Sequence, residues 1–194
     1  MKRKPDWNNF WLKNPIIFSK AFFKLYTMLR IKAYLRLLRA IDLDGKTTLE
    51  LGGGSGYLSK LLSEKRHTKP SVIDNNKNAY DFSKRIGNFE VNYFLQDMFS
   101  HKGKYDVVFS DGLIEHFYPK ERKKVFTLHK KLLKKDGYCV IFVPKKSLLI
   151  ESLGMKNEYE EKFTLERLKK EAESVGLKVL ASTSDFHMIG ILCK

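Results

Sequence analysis

Between Thr47 and Leu62 the chain reads TTLELGGGSGYLSKLL, with four glycines in five positions behind a short apolar run. Each glycine has an entropic cost on folding, so a loop this permissive implies that something approaches the main chain closely. Glu50, just ahead of the loop, is a poor neighbour for a phosphate and suits a ligand bearing an ammonium or sulfonium charge. Asp74 ends the next apolar run, SVIDNN, where a carboxylate accepts hydrogen bonds from both hydroxyls of a ribose. Asp97, in FLQDMF, stands where it can accept from an adenine amino group, with Met98 beside it to pack on the ring. The run YDVVFSDGLIEHF ends in Asp111 and carries Glu115 and His116. A histidine there can take up a proton near neutral pH, which makes His116 a candidate base or substrate contact. Glu115 reads as turned away or as a cap for the following helix.

Two nucleotide patterns compete for the glycine loop. A dinucleotide fingerprint requires G-x-G-x-x-G, but counting from Gly52 its third glycine position is Tyr57. A phosphate loop requires Gly-Lys-Ser/Thr, which does not follow. The arrangement present is E-x-G-x-G-x-G, from Glu50 through Gly52 and Gly54 to Gly56.

These residues need elements to hold them. Strands are predicted at 47–51, 71–74, 92–96, 106–110, 138–143, 178–182 and 188–193, with helices over 57–65, 77–86, 119–134 and 165–175. Alternation of this kind implies a mostly parallel sheet covered on both faces, with the candidate residues at the carboxyl ends of its strands. The last two strands are joined by the turn-sized STSDFH, so the final strand should run antiparallel. Before the sheet, Asn14-Pro15 reads as a helix start, with apolar residues recurring at Phe18, Phe22, Leu25, Leu29 and Ala33. The expected organisation is a basic helical extension over 1–44 and one α/β domain over 45–194.

The ordered series of motifs resembles class I S-adenosylmethionine-dependent methyltransferases, closest to the broad type 11 group. Their first motif matches Glu50 to Gly56, the ribose-binding acid Asp74, the adenine-side acid Asp97, and the segment after the fourth strand Asp111 to Phe117. Leu133 to Pro144 resembles their Gly turn and fifth strand. The resemblance implies a Rossmann-like seven-stranded sheet of order 3-2-1-4-5-7-6. It also implies S-adenosyl-L-methionine as cofactor, held by Glu50, Gly52, Gly54, Gly56, Asp74, Asp97, Met98 and Asp111. Methyl transfer from a sulfonium is an in-line displacement, so the protein's part is alignment, exclusion of water and, for a protonated nucleophile, a base.

Residue types that are absent narrow the acceptor. An Asn/Asp-Pro-Pro-aromatic motif for base amines is replaced by Asp111-Gly112-Leu113-Ile114. Cys139 and Cys193 lie inside predicted strands, which argues against pyrimidine C5 chemistry; they read as buried, reduced thiols of a cytoplasmic protein. Asp111 with Lys145 or Lys146 suggests part of a ribose 2′-O set, but no glutamate follows the sixth strand to complete it. The expectation is a small-molecule or lipid-like acceptor, with RNA as the alternative and a non-catalytic binding subunit as a third reading. No metal is expected.

The formal charge is +15, and residues 1–44 hold ten Lys/Arg against Asp6, Asp42 and Asp44. Such a field attracts nucleic acid, anionic lipid or an acidic protein, or is simply a solvated surface. Trp7 to Ala40 is aromatic, aliphatic and basic together. It reads as a lid packed against the sheet edge or, more sharply, as a surface meeting membrane or RNA. The lysines from Lys120 to Lys135 read as the solvated face of a helix. No window reaches the ~20 apolar residues of a membrane span, and no signal-peptide cleavage site follows Ile16–Leu38.

Overall fold

The computed structural model describes residues 11, 20–87, 90–146 and 161–194, with only the backbone described at 20–24 and 26. Asn14, Pro15, Phe18 and the stretch from Ser147 to Glu160 lie outside the described residues. Helix α1 (Lys20–Leu37) leads into β1 (Thr47–Leu51), α2 (Tyr57–Arg66), β2 (Lys69–Asp74), α3 (Lys77–Arg85), β3 (Asn92–Leu95), β4 (Tyr105–Asp111), α4 (Pro119–Lys131) and β5 (Leu133–Pro144). Helix α5 (Leu165–Glu173), β6 (Val179–Ser184) and β7 (Met188–Cys193) follow. The seven strands form one sheet of order β3-β2-β1-β4-β5-β7-β6, and β7 runs antiparallel to both neighbours. Order and direction are those expected from the sequence.

Side-chain alternation along the central strands divides the core into two layers. Val107, Phe109, Val140 and Phe142 face α1 and α2, meeting Ile31, Tyr34, Leu37, Leu38, Leu58 and Leu62. Cys139, Ile141 and Val143 face α4 and α5, meeting Val125, Phe126, Leu168 and Ala172. Cys139 and Cys193 lie opposite one another across β5 and β7, both buried and both free, and burial pushes both thiols up, Cys193 to about 12. Neither is poised as a nucleophile.

Two local expectations are corrected. The helix read through Lys134 ends at Lys131, and β5 already begins at Leu133. Tyr105 pairs with Leu133 but Val107 pairs with Tyr138, so 134–137 bulge out of the ladder. Gly137 closes the excursion, because a Cβ there would stand 3.0 Å from the Tyr105 carbonyl oxygen and 3.1 Å from that of Asp106.

The second correction concerns α1. Its expected apolar stripe included Leu25 and Leu29, yet both point outward, while Thr27, Arg30, Ile31, Tyr34, Leu37 and Leu38 are buried. The segment is apolar on more than one side, so period alone did not select the inner face. The docked face continues beyond the helix, where the Arg66 guanidinium donates to the carbonyls of Leu38 and Ile41 and ties α2 to the end of α1.

Candidate functional site

The sheet order reverses direction at β1, whose neighbours are β2 on one side and β4 on the other. A crevice forms at the carboxyl ends of strands flanking such a point. Here the glycine loop fills its floor. Gly52, Gly54 and Gly56 have φ of +62°, +53° and +67°, a region that side-chain-bearing residues enter at a cost, and Gly56 hands the chain directly to α2. The turn is fastened to β2, with the Gly52 amide donating to the Ile73 carbonyl at 2.8 Å.

Gly54 is gripped at both ends. Its amide donates to Asp74 Oδ2 at 2.9 Å, and its carbonyl accepts from the Tyr93 hydroxyl at 2.6 Å. The Trp11 ring lies against it, 2.7 Å from where a Cβ would stand, and packs on Phe82 at 5.6 Å between centroids. Leu113, from the segment after β4, covers Gly52 with 2.6 Å between its Cδ1 and the corresponding Cβ position. Residues of β2, β3 and the segment after β4 therefore converge on the loop that follows β1.

Asp74 accepts from the amides of Gly54 and Asn76 (2.8 Å for the latter), and burial raises its pKa despite those bonds. A carboxylate has about four acceptor positions, so lone pairs remain for two hydroxyls. Asn76 in turn caps α3, accepting from the amides of Asn78 and Ala79. The Gln96 amide donates to the Asp74 carbonyl at 3.1 Å, which puts Asp97 on the same rim. Asp97 is exposed and caps the short 3-10 turn Met98–Ser100 through the Phe99 amide at 2.9 Å. Met98 is half-buried and, like Leu113, packs against the core residues of that flank.

Glu50 lies beneath the loop instead of on its rim. It is buried, accepts from the Ser59 hydroxyl at 2.6 Å, and burial pushes its pKa up to about 8. A Cβ on Gly53 would stand 2.9 Å from its carboxyl carbon, so the carboxyl is separated from the crevice by backbone alone.

On the other flank, Asp111 ends β4 with its carboxylate engaged by Arg30 of α1, at 2.7 Å from Nη2 and 3.2 Å from Nε. Arg30 is 2% exposed, also pairs with Asp185 in the β6–β7 turn, and lies over the Phe142 ring at 4.6 Å. The neighbouring Tyr34 hydroxyl donates to the Ser110 carbonyl at 3.2 Å. Ser110 also meets buried His129 at 3.0 Å, and burial lowers that imidazole to about 4, so it stays neutral. His116 ends the 3-10 turn Ile114–His116, its side chain 10% exposed and its Nε2 3.9 Å from Glu115 Oε1. Glu115 is itself buried and does not cap α4; the Tyr118 amide there donates to Glu121 at 3.3 Å. His187 opens β7 beside Asp185, at 3.8 Å.

A family profile described as a methyltransferase domain matches residues 24–182. The chain belongs to that family. No curated protein matches it in sequence. Among solved structures, the PH0226 protein from Pyrococcus horikoshii OT3 shares the fold at a TM-score of 0.75 and 16% identity, over 95% of this chain and 97% of that one. Magnesium protoporphyrin IX methyltransferase from Synechocystis PCC 6803, with bound SAH, gives 0.71 at 14% identity over 94% and 97%. A Burkholderia thailandensis 1,6-didemethyltoxoflavin-N1-methyltransferase, with bound 1,6-didemethyltoxoflavin and S-adenosylhomocysteine, gives 0.67 at 14% over 98% and 90%.

Within this methyltransferase domain the sequence reading missed four residues that shape the crevice: Trp11, Arg30, Tyr93 and Leu113. Arg30 had a signal. It stands at i, i+4 and i+7 spacing with Tyr34 and Leu37, so one turn of helix puts a guanidinium on the buried face. The others touch Gly52 or Gly54 from distant parts of the chain, and no local pattern marks them.

Proposed function

We propose that this methyltransferase domain binds S-adenosyl-L-methionine in the β1–β4 crevice and methylates a small-molecule or lipid-like acceptor. The observation that carries the reading is the Gly54–Asp74 hydrogen bond, which holds a partly buried carboxylate and a bare glycine backbone side by side at the sheet's reversal point. The donor set fits the cofactor: Asp74 retains lone pairs for two ribose hydroxyls, Asp97 offers an exposed acceptor on the same rim, and Met98 supplies a soft apolar wall. Gly52, Gly54 and Gly56 bring bare backbone to the crevice, walled by Trp11 and Leu113, while Glu50 braces the loop from beneath through Ser59. When bound, the cofactor supplies an activated methyl group on a sulfonium.

The remaining work falls to the chain. Asp111, locked by Arg30, fixes the β4 end of the crevice. His116 accepts a proton from the acceptor nucleophile, and Glu115, 3.9 Å from its Nε2, stabilises the imidazolium that results. Small-molecule chemistry is supported by the solved structures of the same fold whose names state magnesium protoporphyrin IX and 1,6-didemethyltoxoflavin.

Calorimetry with S-adenosylmethionine, S-adenosylhomocysteine and NAD, on the wild type and Asp74→Ala, tests the cofactor. Saturable binding of the sulfur nucleosides, weakened by the substitution in a protein that still melts cooperatively, is expected. Preference for NAD, or no binding of either sulfur nucleoside, overturns the reading. Transfer of labelled methyl to RNA but not to lipid or small-molecule fractions would replace the acceptor class.

A further inference from the structure

Eight large apolar side chains are conspicuously exposed among the described residues, and three of them share one face of a single helix. Leu25, Met28 and Leu29 on α1 are 59%, 55% and 58% exposed. Their i, i+3, i+4 spacing makes one contiguous surface. The same face continues toward the helix end as Lys32 and Arg36, both exposed, and Arg39 follows in the turn beyond. A fourth exposed apolar residue, Phe186 at 61%, sits in the β6–β7 turn next to Asp185, which Arg30 clamps to this helix.

We infer that this face of α1 docks the protein on an anionic lipid bilayer. The opposite side of the helix is sealed into the core through Ile31, Tyr34, Leu37 and Leu38, so the outward apolar residues take no part in the fold's own core. Leaving three such side chains in water forfeits a burial that a bilayer interface supplies. Cations beside them complement lipid phosphates, and the chain's net +15 draws the whole molecule to a negative surface. Arg36 keeps its place by donating to Thr183 at 3.1 Å, so the basic end of the stripe is preorganised. The division is what an interface requires: apolar residues to enter the acyl boundary, and cations to remain among headgroups. RNA is less well matched by Leu25, Met28 and Leu29, which carry neither a charge nor a stacking ring. The docking stands on this surface alone and does not rest on the methyltransferase reading.

The test is co-sedimentation of the full chain with vesicles of phosphatidylglycerol mixed with phosphatidylcholine, against phosphatidylcholine alone. Binding to the anionic vesicles only is expected. Leu25→Ser/Met28→Ser/Leu29→Ser should weaken it about a hundredfold, and Lys32→Ser/Arg36→Ser about thirtyfold with a shallower salt dependence. Unchanged thermal melting of both variants separates docking from folding, since all five residues are exposed. Three results would overturn the inference: no wild-type binding, undiminished binding by the triple serine variant, or a wild-type dimer in sedimentation that this variant makes monomeric. Preferential binding of a structured RNA through the same five residues would overturn it too. S-adenosylmethionine binding, measured on the same proteins, should be equal in all. Its absence throughout would refute the proposed function and leave the vesicle result standing.

Discussion

The two flanks of the crevice are built by different means. On the β1–β3 side, main-chain amides and short-range turns set the geometry. Gly54 and Asn76 donate to one carboxylate twenty residues or fewer away, and Asn76 caps the next helix. On the β4–β7 side, a buried guanidinium joins Asp111 and Asp185, 81 and 155 positions further along the chain. The first flank is set mainly by a local motif, to which Tyr93 and Trp11 add contacts from outside it. The second depends on residues from three separate elements being present together. A cofactor common to a family can be held by the first device, whereas an individual acceptor calls for one that varies through side chains.

Breaking the second flank should have the larger effect on stability. Arg30→Met leaves the partly buried carboxylates of Asp111 and Asp185 without their shared cation and is expected to cost about 3 kcal/mol in urea unfolding. Asp74→Asn, by contrast, should act mainly on cofactor affinity. Equal losses of stability from both would erase the distinction.

Next in size comes Glu50. Its pKa is raised in the folded protein, so between the ordinary carboxyl value and about 8 the native state holds more protons than the unfolded one, and stability falls as pH rises through that window. Glu50→Gln should flatten this slope and stabilise the protein by a few kcal/mol at pH 8–9. A melting curve whose pH dependence is the same in both proteins would place the carboxyl's charge elsewhere.

Gly54→Ala puts a methyl group at φ +53° against the Trp11 ring and should cost about 1–2 kcal/mol, with a loss of cofactor affinity that Trp11→Ala partly restores. Failure of the second substitution to restore binding would show that backbone conformation, not the ring, sets the limit. At the small end, Lys77 and Asp81 form an exposed i, i+4 pair on α3 at 2.8 Å, and Lys77→Ala should change stability by no more than about 0.5 kcal/mol.

Legibility in the sequence followed the same division. Glycines, acids and apolar runs in fixed order exposed the strand succession and the floor of the crevice, because each signal spans a few residues. The start of β5 was misread as helix, since LLKKDG carries good helix formers and its bulge is dictated by the backbone of β4. The inward face of α1 was misjudged because aromatic and aliphatic residues surround it, and only docking against β4, β5 and β7 selects Tyr34 over Leu29. The Arg30 clasp needed Asp111 and Asp185, whose proximity is a property of the finished sheet.

That clasp also orders events during synthesis. Arg30 of α1 is made 155 positions before Asp185 of its clasp, and Met188 and Leu192 of its core cluster follow later still. Until the β6–β7 hairpin emerges and inserts beside β5, the helix has no complete surface to rest on. Its apolar residues then lack that cover while the 155 positions from Arg30 to Asp185 are added, an interval for aggregation or for capture by a chaperone. The β6–β7 hairpin thus closes the fold on a helix made long before it, and shortening this hairpin should leave protein that is synthesised and recovered insoluble.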